Sequence, residues 1–98
     1  DQATKNQEIG VFSIVLECIN SKTAKKITET LKIPTIGIGA STHCDGQILV
    51  TDDMLGLSGF YPKFVRKFAN LNNIIEIAVK KYKKAVTNNK FPNKKNTF

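Results

Sequence analysis

The fold is decided by residues 11–39, VFSIVLECINSKTAKKITETLKIPTIGIG, in which two short apolar runs flank an amphipathic segment. The first run, Val11–Leu16, is rich in β-branched and aromatic residues and does not alternate. That pattern is typical of a strand buried on both faces of a parallel sheet. The second run, Thr35–Gly39, predicts another short strand. A strand, a helix and a strand within about 29 residues predict a βαβ unit with parallel strands and a right-handed crossover.

The segment between the two strands predicts an amphipathic helix of about three turns. Asn20 or Ser21 can cap its N-terminus, since either side-chain oxygen can accept a hydrogen bond from a free backbone N–H. Pro34 prevents the helix from continuing. Its apolar face is formed by Ala24, Ile27 and Leu31.

The remaining segments predict helices of unequal clarity. Residues 1–8 are typical of the end of a helix. Asp45 can cap a short helix that ends at Leu55, although residues 47–50 are equally compatible with a strand. Pro62 predicts the start of a helix over residues 63–69, because proline is favoured in a first turn. The clearest helix covers residues 72–86, where an apolar face stands opposite a lysine-rich one.

The length and composition of the chain indicate an ordinary globular protein with one domain at most. The chain has 98 residues, of which 41% are hydrophobic and 23% charged. No apolar stretch approaches 18 residues, and the polar start has no apolar core, so neither a membrane span nor a signal peptide is expected. The absence of an initiator methionine predicts a processed product or a piece of a longer protein. Cys18 and Cys44 are expected to be reduced thiols of a cytoplasmic protein.

The net charge of +7 is unevenly distributed. Residues 1–62 carry five basic and seven acidic side chains, whereas residues 63–98 carry ten basic and one acidic. A basic third of this kind occurs in nucleic-acid-binding proteins and also on solvated helix faces. The chain has 14 lysines and one arginine, and base recognition favours arginine. We therefore expect no specific nucleic-acid partner.

The carboxyl ends of the two predicted strands are the expected position of a site, because ligands of parallel α/β folds bind there. Glu17 lies at the first end and residues 39–42 at the second. A carboxylate at the rim of a buried strand can be partly desolvated, which raises its pKa and lets it carry a proton near neutral pH. The alternative is that Glu17 pairs with a lysine or caps a helix.

Two other motifs carry weak signals. Gly37 and Gly39 share one face of the second strand and leave room for a ligand or for a crowded neighbour. A Gly-x-Gly after a strand is only a weak signal for dinucleotide binding here, because Thr42 stands where the third glycine of the motif belongs. Residues 43–45, His-Cys-Asp, predict no metal site, because adjacent side chains rarely converge on one ion.

Five segments in order, followed by the chain's tail, resemble the C-terminal part of the ketopantoate hydroxymethyltransferase family (3-methyl-2-oxobutanoate hydroxymethyltransferase). They are Val15–Cys18, Ile36–Ala40, Asp45–Val50, Asp53–Leu57 and Pro62–Phe64, with the pairs Phe91-Pro92 and Thr97-Phe98 in the tail. The chain departs from the family pattern at Ser41, where glycine is usual, at a shortened glycine stretch before Phe60, and in residues 93–96.

The resemblance implies an α/β fold, the C-terminal part of a (β/α)8 barrel that is incomplete on its own. Residues 1–69 would supply the last βα units, including the strand that ends at Glu17. Residues 70–98 would supply the C-terminal helix and a Lys- and Asn-rich tail of the same domain.

The resemblance also implies an activity. This is the transfer of a hydroxymethyl group from 5,10-methylenetetrahydrofolate to 3-methyl-2-oxobutanoate, giving 2-dehydropantoate (ketopantoate) for pantothenate and coenzyme A biosynthesis. It implies Glu17 as the catalytic acid/base residue, Mg²⁺ held by residues outside this chain, and a cytoplasmic homo-oligomer. Activity is expected only in the full barrel. The alternative is a catalytically inactive fragment or a small basic interaction module.

Overall fold

The computed structural model describes residues 1–98 and contains a three-stranded parallel sheet with four helices. The strands are Ile14–Glu17 (β1), Thr35–Ile38 (β2) and Gly46–Gln47 (β3), and the helices are Gln2–Glu8 (α1), Ser21–Thr30 (α2), Thr51–Leu55 (α3) and Leu71–Thr87 (α4). The strand order is β1-β2-β3, so that β1 and β3 are both edge strands. The predicted parallel βαβ unit is confirmed by the pairing of β1 with β2 across α2.

The core lies between α2 and one face of the sheet. Leu16 of β1 is 5% exposed and forms a buried cluster with Ala24 of α2 and with Cys44. Leu16 lies opposite Gly37 in the neighbouring strand. The prediction that the first strand is buried on both faces is wrong for this chain, because Val15, on the other face, is 51% exposed. That second face is here called the bare face, because both residues that β1 places on it are exposed.

The helix predicted from Asp45 to Leu55 is replaced by a strand and a shorter helix. The free edge of β2 pairs with β3, and the Ile48 amide donates to the Gly37 carbonyl at 3.0 Å. The Asp45 carboxylate caps no helix, because it accepts a hydrogen bond from the Thr35 amide at 2.8 Å. Asp45 thus links the amino ends of β2 and β3. Only the last turn of the predicted helix forms, as α3.

The helix predicted over residues 63–69 is absent, because its backbone groups bond elsewhere. Residues 57–70, here called the connecting segment, contain neither helix nor strand. The amides of Phe68 and Ala69 donate to the Met54 carbonyl of α3, at 2.8 and 3.3 Å. These long-range bonds hold the connecting segment against α3 and prevent the local helix.

The last helix, α4, confirms the prediction and stands away from the sheet. Its N-cap is Asn70, whose side chain accepts from the Asn73 amide. The apolar residues of α4 remain exposed, Ile74 to 60%. The molecule is elongated as a result, 67 × 28 × 16 Å with a radius of gyration of 22.4 Å, against about 13 Å for a compact domain of 100 residues. None of the helices has both the length and the apolar composition needed to cross a membrane.

Candidate functional site

A cleft of about 630 Å³ lies at the carboxyl ends of β1 and β2. Cys18 follows the last residue of β1 and Gly39 follows the last residue of β2, so the cleft is where parallel strands place a site. Its lining residues are Cys18, Ile19, Ser21, Gly39, Ala40, Ser41, Thr42, Gln47, Lys63 and Phe64. Both strand ends identified from the sequence therefore meet at one opening, together with part of the connecting segment.

Glu17 is the last residue of β1 and lies opposite Ile38 in the register. Side chains alternate along a strand, so Glu17 shares the bare face of the sheet with Val15, away from Leu16. Its side chain is exposed. The partial desolvation expected for Glu17 is therefore not supplied by this chain. Glu17 is not among the residues that line the cleft, although Cys18, which follows it directly, is one of them.

Glu17 has neither of the structural roles that the alternative interpretation assigns to it. The two ion pairs of the chain are Lys25–Glu29 on α2 and Lys80–Glu76 on α4. The helix N-caps are Asp1, Asn20, Val50 and Asn70. The Glu17 carboxylate thus remains free to act on a ligand at the strand end.

The backbone turns sharply straight after Glu17. Cys18 has φ 52°, in the left-handed region, and its amide donates to the Ile38 carbonyl at 2.9 Å. A residue with a side chain is less stable there by about 1–2 kcal/mol, because its Cβ approaches the following carbonyl. This turn ends β1 and leads to the α2 N-cap, Asn20. Both cysteines are free thiols, with Cys18 exposed and Cys44 buried.

Ser41 ties the loop after β2 to its surroundings. Its hydroxyl, which is buried, accepts hydrogen bonds from the Ser21 hydroxyl at 3.3 Å and from the His43 amide at 3.1 Å. The Gln47 amide nitrogen donates to the Ser41 carbonyl at 2.7 Å. The departure from the family's usual glycine therefore adds a connection between this loop and the start of α2.

The protein's own side chains fill the space left by Gly37 of β2 and by Gly39, which follows that strand. A Cβ at Gly37 would lie 3.1 Å from Cys44 Sγ and from the Gln47 side chain. Gly39 has φ 62°, and a Cβ there would lie 2.7 Å from Cβ of Phe64. The two glycines thus accommodate crowded neighbours, and Gly39 allows the connecting segment to pack directly on the end of β2.

The residues of this chain do not form a metal site. Cys44 belongs to the core, Asp45 bonds to the amino end of β2, and no group of three or more His, Cys, Asp and Glu side chains lies together. The Mg²⁺ implied by the resemblance therefore does not fit the residues present, and no chemical step at this cleft is derived through a metal.

Lys63 and Phe64 of the cleft were not among the candidate residues predicted from sequence. The helix predicted after Pro62 placed them on a regular element instead of at the strand ends. Their only signal in the sequence is the Pro62–Phe64 segment of the resemblance. Gln47, which holds the loop after β2, was likewise missed.

Comparison with known proteins gives one consistent result. Residues 1–94 match the family described as ketopantoate hydroxymethyltransferase. The chain is 54% identical over 92 residues to a 3-methyl-2-oxobutanoate hydroxymethyltransferase of Pelagibacter ubique, which covers 94% of this chain and 36% of the relative. It is 50% identical over 99 residues to the protein of the same name from Syntrophomonas wolfei, covering 100% of this chain and 36% of that relative. The chain spans about a third of the length of the curated relatives it matches.

Proposed function

The chain belongs to the ketopantoate hydroxymethyltransferase family, and we propose that it supplies the acid/base residue of that reaction within a larger (β/α)8 barrel. The reaction transfers a hydroxymethyl group from 5,10-methylenetetrahydrofolate to 3-methyl-2-oxobutanoate and yields 2-dehydropantoate. The observation that carries the proposal is the position of Glu17 at the carboxyl end of a parallel strand, next in sequence to a residue that lines the cleft and without an ion-pair partner. Active-site residues of such barrels lie at the carboxyl ends of the strands.

Glu17 acts on the proton at C3 of the oxo acid. Its carboxylate takes that proton, and the electron pair of the C–H bond passes into the enolate. The enolate carbon then forms a bond to the methylene carbon of the donor. That carbon loses its bonds to both donor nitrogens and takes its hydroxyl group from water. The proton held by Glu17 and the proton released by the water pass to the two nitrogens, and tetrahydrofolate leaves. The Mg²⁺ of the family is held by residues outside this chain.

The bare face of the sheet supports this role. Glu17 and Val15 of β1 share that face with Ile36 and Ile38 of β2, because paired residues of parallel strands point to the same side. In a closed barrel this face becomes the interior. Removal of water from around Glu17 then favours proton transfer to and from its carboxylate.

Location and assembly complete the proposal. Two free cysteines in a chain of this size favour a reducing compartment, and we propose the cytoplasm. The exposed apolar residues of α4, among them Ile74 and Val79, favour packing against further protein, in the same barrel or in a homo-oligomer.

The test uses a completed chain, in which residues 1–98 are joined to the part of the Pelagibacter ubique relative that the match does not cover. We expect the completed chain to form ketopantoate and Glu17→Gln to lower kcat by at least about 100-fold, the usual contribution of a general acid or base. The matched control is Glu29→Gln, which removes an exposed carboxylate from α2 and should leave kcat unchanged. Near-parental turnover by Glu17→Gln would refute the role of Glu17. An inactive but folded completed chain would favour the alternative of a catalytically inactive fragment or interaction module.

A further inference from the structure

Lys63 is the only charged side chain among the residues that line the cleft. It is exposed and takes part in neither of the two ion pairs of the chain. The other polar lining residues are Ser, Thr, Gln and a single cysteine, so no carboxylate lies among them. The cleft therefore presents a net positive charge to whatever enters it.

The loop after β2 adds hydrogen-bond donors to the same cleft. The amides of Ala40, Ser41 and Thr42 donate to no backbone or side-chain acceptor in the chain. The Thr42 hydroxyl is exposed and also makes no hydrogen bond within the protein. Successive backbone N–H groups in a turn that contains a left-handed residue, here Gly39, are typical of anion-binding concavities.

The packing of Phe64 on Gly39 holds Lys63 beside these donors. The close approach of Phe64 to the end of β2 leaves no room for a Cβ at Gly39. Lys63 precedes Phe64 directly, so its backbone is held at the carboxyl end of β2. The backbone of Lys63 is thus held in place at the cleft, although the connecting segment has no regular secondary structure.

We propose that Lys63, with the free amides of residues 40–42, binds a carboxylate of a substrate in this cleft. The inference rests on the proposed function, in which both the oxo acid and the folate donor carry carboxylates. A cleft of about 630 Å³ lies within the range of roughly 300–1,000 Å³ that accommodates ligands the size of a drug molecule. Its volume thus favours a carboxylate of the larger substrate, the donor.

The experiment measures dissociation constants by titration calorimetry on the folded completed chain. The probes are tetrahydrofolate, 6-methyltetrahydropterin, which keeps the pterin ring and lacks every carboxylate, and 3-methyl-2-oxobutanoate. We expect Lys63→Gln to weaken tetrahydrofolate binding by about 10-fold or more, as for the loss of a hydrogen bond to a charged group, and to leave 6-methyltetrahydropterin binding unchanged. Lys63→Arg, which keeps the positive charge, should restore most of the affinity.

The controls separate this inference from the role of Glu17. Lys83→Gln removes the same charge from the exposed lysine face of α4 and should change none of the three constants. Weakened binding of the oxo acid alone would assign the carboxylate to that substrate. If Lys63→Gln leaves all three constants within twofold of the parent, the inference is wrong. The Glu17→Gln variant is tested by its kcat and the Lys63→Gln variant by its dissociation constants. If one of the two proposals fails its test, the result for the other can therefore still be interpreted.

Discussion

Replacement of Gly39 by alanine should destabilise the completed chain more than the same replacement at a glycine with no atoms near the added methyl group. Gly39 has φ 62°, and an alanine Cβ there would lie 2.7 Å from Cβ and 2.8 Å from Cγ of Phe64. The left-handed backbone costs an alanine about 1–2 kcal/mol. Forcing a methyl group into a filled space costs about 1–3 kcal/mol more. We expect the free energy of unfolding to fall by about 2–5 kcal/mol in total.

Two other glycines provide matched controls for the separate contributions. Gly10 has φ 94°, and no atom lies within 4 Å of the position that an alanine methyl group would take, so Gly10→Ala measures backbone strain alone. Gly59 has neither a positive φ nor a close neighbour, so Gly59→Ala should change stability by less than about 0.5 kcal/mol. All three substitutions lower the entropy of the unfolded chain in the same way, which cancels in the comparison.

Urea unfolding of the completed chain measures these differences, and a double-mutant cycle isolates the contact. Phe64→Gly removes both the Cβ and the ring that crowd Gly39, so Gly39→Ala in that background should cost only the backbone strain of about 1–2 kcal/mol. The reasoning is refuted if Gly39→Ala costs no more than Gly10→Ala. It is also refuted if Phe64→Gly leaves the cost of Gly39→Ala unchanged.

Two further predictions concern the turn after Glu17 and the chain by itself. Cys18→Val should lower the melting temperature of the completed chain relative to Cys18→Gly, because a β-branched residue is poorly accommodated at φ 52°; a higher melting temperature for the valine variant would contradict this. The isolated 98-residue chain should unfold without a sharp transition and form no ketopantoate, because only 8 of its 98 residues are buried. Thermal circular dichroism and a product assay measure this, and either a cooperative transition or turnover would contradict it.

The elements with clear periodicity could be predicted from the sequence. The two strands of the βαβ unit and the helices α2 and α4 follow from local patterns of apolar residues, and the structure contains all of them. The position of Glu17 at a strand end follows from the same local patterns, since a charge placed directly after an apolar run marks where burial ends.

The segments that could not be predicted are those decided by distant partners. Residues 47–50 suit a strand or a helix, and the free edge of β2 selects a strand at Gly46–Gln47. The helix expected after Pro62 does not form, because backbone amides of that segment donate hydrogen bonds to the Met54 carbonyl. Lys63 enters the cleft through this non-local arrangement, so no local pattern could have identified it. The expected burial of both faces of β1 needs residues that this chain does not contain.

The two edge strands have a consequence for how such a barrel could be put together. Each edge presents backbone donors and acceptors in a register already set by β2, so the rest of the sheet can add to it without unfolding this unit. Hydrogen bonds of this kind can also join strands of separate polypeptides. The chain is therefore suited to reconstitution from two polypeptides. Residues 1–98 and a separately expressed remainder should assemble along the open edge of β1. Recovered turnover would show that the two polypeptides have paired there.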